Sequence, residues 1–341
     1  MSLYVTELRR LGKRRFTRYM TLIGLLVLAA VAVGTFLTNQ KIGPEQRASA
    51  ERQAQAQYEE QVRYVERDRA ECERLKAAGE PADGRFPDDC STITPPPREA
   101  VEARWFLPST FDFRESFGAT LIPYAAILAL IAFVVGASFV GAEWSTGGMM
   151  NLLLWRPRRL NVLLTKLAAL LTGVTVVTLL GAAAWTAAFW AVGSYRGSTA
   201  GMTGGVWQSF ALTGLRGFAL VVVAAVVGFA LASLGRHTAF ALGGVLAIAV
   251  VGQFGLGVVL ALADVKFPEA WLLPTYGLAW MGKEVELRNF EACNYSGMSG
   301  MSECAPDTLT ITWQHSSALL AVGLVLALGA ALWAMRRRDI A

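Results

Sequence analysis

A helical, polytopic membrane protein with six crossings is the fold class this sequence predicts, and three observations predict it. Charged residues make up 17% of the 341 and hydrophobic ones 54%, whereas a soluble domain carries about 25% charged residues. Six stretches are long and apolar enough for a bilayer core, which takes roughly 20 residues per helix. Lys and Arg gather in the short segments that an even number of crossings puts on one side. The same composition excludes disorder, a collagen-like repeat and a small disulfide-stapled scaffold, because the chain is too apolar and has only four cysteines.

The chain opens on LYVTELRRLGKRRFTRYM, in which Tyr4, Val5, Leu8, Leu11, Phe16 and Tyr19 fall near one helical face among basic residues. Residues 1–19 therefore read as an amphipathic helix lying on the membrane surface. The first span follows, over 20–38. Ala30 and Ala32 give it an A-x-A pattern like a signal peptide's, but the apolar run continues past them. The remaining spans are expected at about 121–141, 167–192, 217–234, 238–263 and 317–335, within a core over 117–341. None has a charge at its centre, where one would cost at least about 2.5 kcal/mol.

Orientation follows from the short segments. Six basic residues (Arg9, Arg10, Lys13, Arg14, Arg15, Arg18) precede the first span, and Arg156, Arg158, Arg159 and Lys166 separate the second from the third. Arg236 lies between the fourth and fifth, and Arg336, Arg337 and Arg338 follow the sixth. All fall on one side, so both termini are expected in the cytoplasm. Against these fourteen cations the same side holds three acids, Glu7, Glu143 and Asp339. The net +5 is thus divided between a strongly basic inner side and an acidic outer one, and needs no nucleic acid to explain it.

Residues 39–116 are expected outside. Gly43-Pro44 opens and Gly79 closes a polar stretch with few breakers, the punctuation of one long helix. Ala54, Tyr58, Val62, Val65, Cys72 and Leu75 form a narrow stripe suited to one partner helix. Pro95, Pro96 and Pro97 make a stiff return, and Trp105, Phe106, Phe111 and Phe113 resemble an interfacial anchor. In a second outer region, 264–314, Pro268 to Trp280 is apolar but too short to span. It reads as an interfacial or re-entrant helix, or as an amphipathic cover on the lipid surface. All four cysteines lie in these two regions, which fits an oxidising compartment. Of three possible pairings, the local ones are Cys72–Cys90 and Cys293–Cys304. A metal site is the competing reading, without CxxC spacing to support it.

Between the second and third spans lies GAEWSTGGMMNLLLWRPRR, then Lys166. Ser145 or Thr146 is placed to cap a short helix, and Pro157 prevents its continuation. Its Met and Leu residues need cover from lipid or from a partner's groove. Glu143, Gly147, Leu152 to Leu154, Pro157, Arg159 and Lys166 stand in the pattern of one family. They resemble the first cytoplasmic loop of ABC-2-type permeases, the transmembrane subunits of bacterial ABC exporters. The six-span arrangement agrees, as does the ending Arg337-Arg338-Asp339; Gly148 and Arg158 depart from the usual residues.

The resemblance implies a permease in the plasma membrane that pairs with a second permease copy and rests on two copies of a cytoplasmic ABC ATPase. ATP and Mg2+ would belong to that ATPase, with no cofactor, metal or catalytic residue in this chain. A coupling helix over 143–155 would seat in the ATPase, with Glu143, Trp144, Gly147, Met150, Leu153, Leu154, Arg156, Pro157 and Arg159 at the contact. The chain has no G-x-x-x-x-G-K-[ST] loop, H-E-x-x-H or G-x-S-x-G of its own. Its two histidines, His237 and His315, are assigned to opposite faces. Candidate pathway residues are Gln253 and Thr175 within spans, Ser138, and Arg216 at the outer edge of the fourth; each also has a plain reading as packing, backbone bonding or snorkelling. The expected function is outward movement of an amphipathic, lipid-like, drug or peptide substrate. A non-transporting scaffold or sensor, with a ligand-binding outer domain, is the alternative.

Overall fold

A computed structural model describes residues 2–79, 86–87, 89–155, 158–289 and 306–337. Cys293, Cys304, Arg156, Pro157, Arg338 and Asp339 lie outside these residues, so the readings placed on them have no structural counterpart. The chain is mostly helical and divides into two compact units.

The first unit comprises Met1–Ala32, Arg114–Phe189 and Ala200–Ala341. Six helices among the described residues are long and apolar enough to cross a membrane: α2 (Arg15–Thr38), α4 (Phe113–Ser145), α6 (Arg159–Arg196), α7 (Gly204–Gly235), the run Thr238–Leu262, and α11 (Trp313–Arg337). All but the fifth contain an expected span and extend past most of its ends, because helix persists into the polar flanks that hydropathy leaves out; the fifth matches its expected span to within one residue. α4 and α7 are the packed centre. Gly136 faces the Ala225 carbonyl and Gly228 the Phe133 carbonyl, so closely that a Cβ at either position would overlap backbone. This reciprocal absence of side chains lets the two backbones meet.

The run Thr238–Leu262 is α8 (Thr238–Ala247), a wider π-helical segment Ile248–Gly255, and α9 (Leu256–Leu262). Its most apolar window buries no residue, whereas that of α4 is 56% buried. At its start the His237 ring accepts the Ala239 N–H through Nδ1, which makes that histidine a helix cap.

The structure divides the amino-terminal helix expected over 1–19. α1 covers Leu3–Lys13, Arg14 is extended, and α2 begins at Arg15. Leu11 lies on the buried face of α1, but Phe16 and Tyr19 belong to α2 and are exposed. The break has a cause: Arg14 donates to the carbonyls of Ser138 and Phe139, at 3.1 Å each, and its backbone turns to follow.

The short element after Phe267 is a turn of tight helix, Pro268–Trp271, followed by α10 (Leu273–Gly282). α10 buries Ala279 and Met281, with Met281 against α7 at Gly217. Two strands follow, which the all-helical expectation omits. We label them β3 (Glu284–Asn289) and β4 (Asp307–Thr312), an antiparallel pair in register from Glu284 opposite Thr312 to Asn289 opposite Asp307. In β3, Val285 and Leu287 alternate with charged residues, too short a run to declare a strand without its partner.

The second unit is Val33–Phe113 with Trp190–Thr199. Its main element is α3 (Pro44–Ala78), bounded by the signals read from sequence. Gln46 Oε1 accepts the Gly43 N–H at 2.9 Å, and Gly79 closes the helix with φ of 69°. At 35 residues it is about 52 Å long. The stripe from Ala54 to Leu75 is its covered side. Its cover is the chain's own return segment rather than a partner helix. The tight turn Ala103–Phe106 packs on α3, Arg98 donates to Gln55, and the Cys72–Cys90 disulfide closes the lower part.

Phe111 and Phe113 are buried here, so they are core residues and not lipid anchors. Phe113 packs edge-on against Trp190, and the two-residue strands β1 (Phe111–Asp112) and β2 (Gly197–Ser198) pair in parallel beside them. Trp105, 61% exposed, retains the exposure an anchor needs.

Candidate functional site

The connection between α4 and α6 is built from a helix end, a turn and a short helix. α4 carries Glu143 and Trp144 in its last turn. Ser145 and Thr146 both return their hydroxyls to the Ala142 carbonyl, at 3.1 and 2.8 Å, so they close α4 instead of capping the next helix. Gly147, with φ of 73°, makes the turn that an L side chain disfavours. α5 (Gly148–Trp155) then runs for eight residues. Met149 and Leu153 face inward and are buried, while Leu154 and Trp155 are 81% and 87% exposed. Met150 is half-buried. The short helix is thus two-faced, and its outward face is apolar.

Beside it lies a cluster of charge that hydropathy does not announce. Lys166, on α6, is fully buried, and its ammonium reaches Glu7 of α1 at 2.7 Å and Glu143 of α4 at 2.6 Å. Glu7 is also fully buried, and Arg10 approaches it at 3.4 Å from the surface. Lys166 and Arg14 lie 5.3 and 5.6 Å from the centre of the Phe139 ring, within the range where a ring face attracts a cation. Two carboxylates around one buried ammonium, Glu7 buried and Glu143 14% exposed at the edge of the cleft described below, fix three chain segments at one point. Removing Lys166 would take from both carboxylates the cation they share, whereas removing either carboxylate would leave the ammonium paired with the other. Across the same helix end, the Arg236 guanidinium stacks 5.1 Å from the Trp144 ring.

An open cleft of about 880 Å³ separates α1 from α5. Arg9, Arg10, Lys13 and Arg14 line it from one side, and Asn151, Leu152 and Trp155 from the other. The exposed apolar face of α5 and a basic wall thus border one opening.

The other candidate residues are dispersed. Gln253 lies in the π-helical segment, and its side-chain oxygen accepts the Leu273 N–H at 2.7 Å, capping α10. Arg216 is half-buried, and its carbonyl accepts from Trp280 Nε1 at 2.9 Å. The Ser138 carbonyl holds Arg14. Thr175 is half-buried on α6, one turn from Thr172, whose hydroxyl meets the Tyr4 hydroxyl at 2.8 Å. No hydrogen bond or ion pair among the described residues joins these four to one another. Arg159 begins α6. Sequence reasoning missed Glu7, noted only as a minority charge, and read Lys166 as one more inner-side cation. A lone acid amid the basic residues of α1 was the available signal.

The sequence profile of the ABC-2 family transporter protein matches residues 3–340 of this chain. The chain belongs to that family. As an ABC-2 permease it is a multi-pass membrane protein and a transmembrane subunit of the ABC transporter type, a class that is generally non-catalytic and works with a cytoplasmic ABC ATPase. No curated protein and no solved structure matches it. Among the described residues of the permease, no group of side chains is arranged to hold a metal ion.

Proposed function

We propose that this chain is the permease of an ATP-driven exporter, dimerising and resting through α5 on two copies of a separate cytoplasmic ATPase. The observation that carries the reading is the pairing of an exposed apolar helix with a buried ionic joint. Leu154 and Trp155 present an outward face, and Glu143, five residues before α5, is tied through Lys166 to α1 and α6. A push on α5 therefore reaches α4, α6 and α1 together. ATP-driven closure of the ATPases would supply the differential affinity that moves the spans between inward-open and outward-open forms.

In this reading both termini and α5 are cytoplasmic. The insertion over 39–116 is outside, supported by its disulfide and by the excess of Lys and Arg in the inner segments. The substrate class in this reading is an amphipathic, lipid-like, drug or peptide molecule. The test is purification of the full chain from its own host, followed by assay of the ATPase it retains. Leu154→Asp combined with Trp155→Asp, both at exposed positions, should abolish ATPase retention while membrane insertion is unchanged. A chain that never retains an ATPase, and exports equally well with both substitutions, is not coupled through α5; the sensor reading of the outer domain would then stand.

A further inference from the structure

The cleft and the ionic joint do not use the opposite face of α1. There, Leu8, Leu11 and Gly12 meet Thr17 and Thr21 of α2, Leu128 to Val135 of α4, and Gly173 to Thr178 of α6 around a groove of about 170 Å³. Its lining is almost wholly apolar. Thr178 is buried, and its carbonyl is already bonded to the Tyr124 hydroxyl. Such a groove offers water too few partners to hold it, and left empty it would forfeit the contacts of every side chain around it. The chain is a multi-pass membrane protein, so the solvent against α2, α4 and α6 is acyl chain. A space of this size takes roughly six carbons, judged against apolar cavities of about 150 Å³ that hold a benzene ring.

A second observation lies at the rim. Arg18 is exposed, and its Nε donates to the carbonyl of Gly12, a groove residue, at 2.9 Å. That bond fixes the guanidinium plane beside the groove and leaves its terminal nitrogens bonded to no described residue. A fixed guanidinium with free parallel N–H donors suits a phosphate.

We infer that this groove holds one acyl chain of an anionic membrane phospholipid, with Arg18 meeting a lipid phosphate whose charge no choline offsets. The lipid is then a structural part of the α1–α2–α4–α6 junction. The inference rests on the membrane location alone and not on the transport reading.

The test uses the full chain in phosphatidylcholine vesicles containing a few per cent of phosphatidylglycerol with a photoreactive diazirine in mid-chain. Crosslinks should concentrate on peptides covering 128–135 and 173–178. Val177→Phe, at a half-exposed groove position, and Ala132→Phe, within the wall, should each lower that labelling at least fivefold. Arg18→Gln should remove the preference for phosphatidylglycerol over an equally tagged phosphatidylcholine. Labelling spread evenly over the spans, or unchanged by Val177→Phe, would overturn the acyl-chain site. Concentrated labelling that shows no headgroup preference, or the same preference in Arg18→Gln, would overturn the role of Arg18.

Discussion

The α3 unit and the Lys166 cluster hold their chain segments by opposite means. α3 is fixed by local devices: Gln46 at one end, Gly79 at the other, and a disulfide between residues 18 apart. The cluster joins Glu7, Glu143 and Lys166, the first and last 159 positions apart in the sequence. Local devices tolerate loss, because each failure affects one turn or one loop. A buried three-charge joint does not, because its members are acceptable in the interior only together. The difference fits the proposed cycle, in which the cluster passes a movement between helices.

The largest effect expected is from Lys166→Met, which removes the ammonium shared by Glu7 and Glu143 and leaves the buried Glu7 only the more distant Arg10, at 3.4 Å. A loss of about 3–5 kcal/mol is expected, read as a lower melting temperature of the detergent-purified chain. Adding Glu7→Gln and Glu143→Gln should recover most of it. A Lys166→Met chain that melts like the parent would remove the contrast between the two regions.

Next is Cys72→Ser with Cys90→Ser. Opening a loop of this length costs about 3 kcal/mol on the chain-entropy model. The loss should appear as faster proteolysis and hydrogen exchange over 44–78, with exchange on α1 unchanged. Arg14→Ala follows, at about 2 kcal/mol for charge-assisted bonds to two carbonyls. It should increase exchange at the amides of 3–13 and leave α3 as it was.

Gly79→Ala, at a position with φ of 69°, should cost about 1 kcal/mol and shorten α3 by its last turn, measurable as loss of amide protection there. The smallest effect concerns Asp89, beside Cys90. Hydrogen bonds from the backbone and side chain of Ser91 hold its carboxyl below the ordinary value of 3.8. A carboxyl lowered in the folded state contributes stability above its unfolded pKa and loses it as pH falls through the folded value. Protection of the turn Cys90–Thr92 should therefore hold at neutral pH and fall only in acid, and Asp89→Asn should abolish that dependence.

Much of this was legible because its causes are short-ranged. The bounds of α3 follow from Gly43-Pro44 and Gly79, and each span follows from an apolar run. Where the readings failed, a residue's neighbours came from elsewhere in the chain. Phe111 and Phe113 have the composition of a membrane anchor, but partners distant in sequence, Gly197 beside Phe111 and Trp190 against Phe113, make them core. Ser145 and Thr146 are as suited to starting a helix as to ending one, and the Ala142 carbonyl decided between them. β3 and β4 are each too short to declare themselves without the other.

By itself the sequence determined that six helices would be apolar enough to seek the bilayer, and which pattern the α4–α6 loop would carry. Those outcomes depend on transfer free energies that add residue by residue along the chain. Only the tertiary structure decided that Lys166 is a buried joint and not a solvated cation. Burial of a charge is set by what surrounds it, and Glu7 and Glu143 come from two other helices.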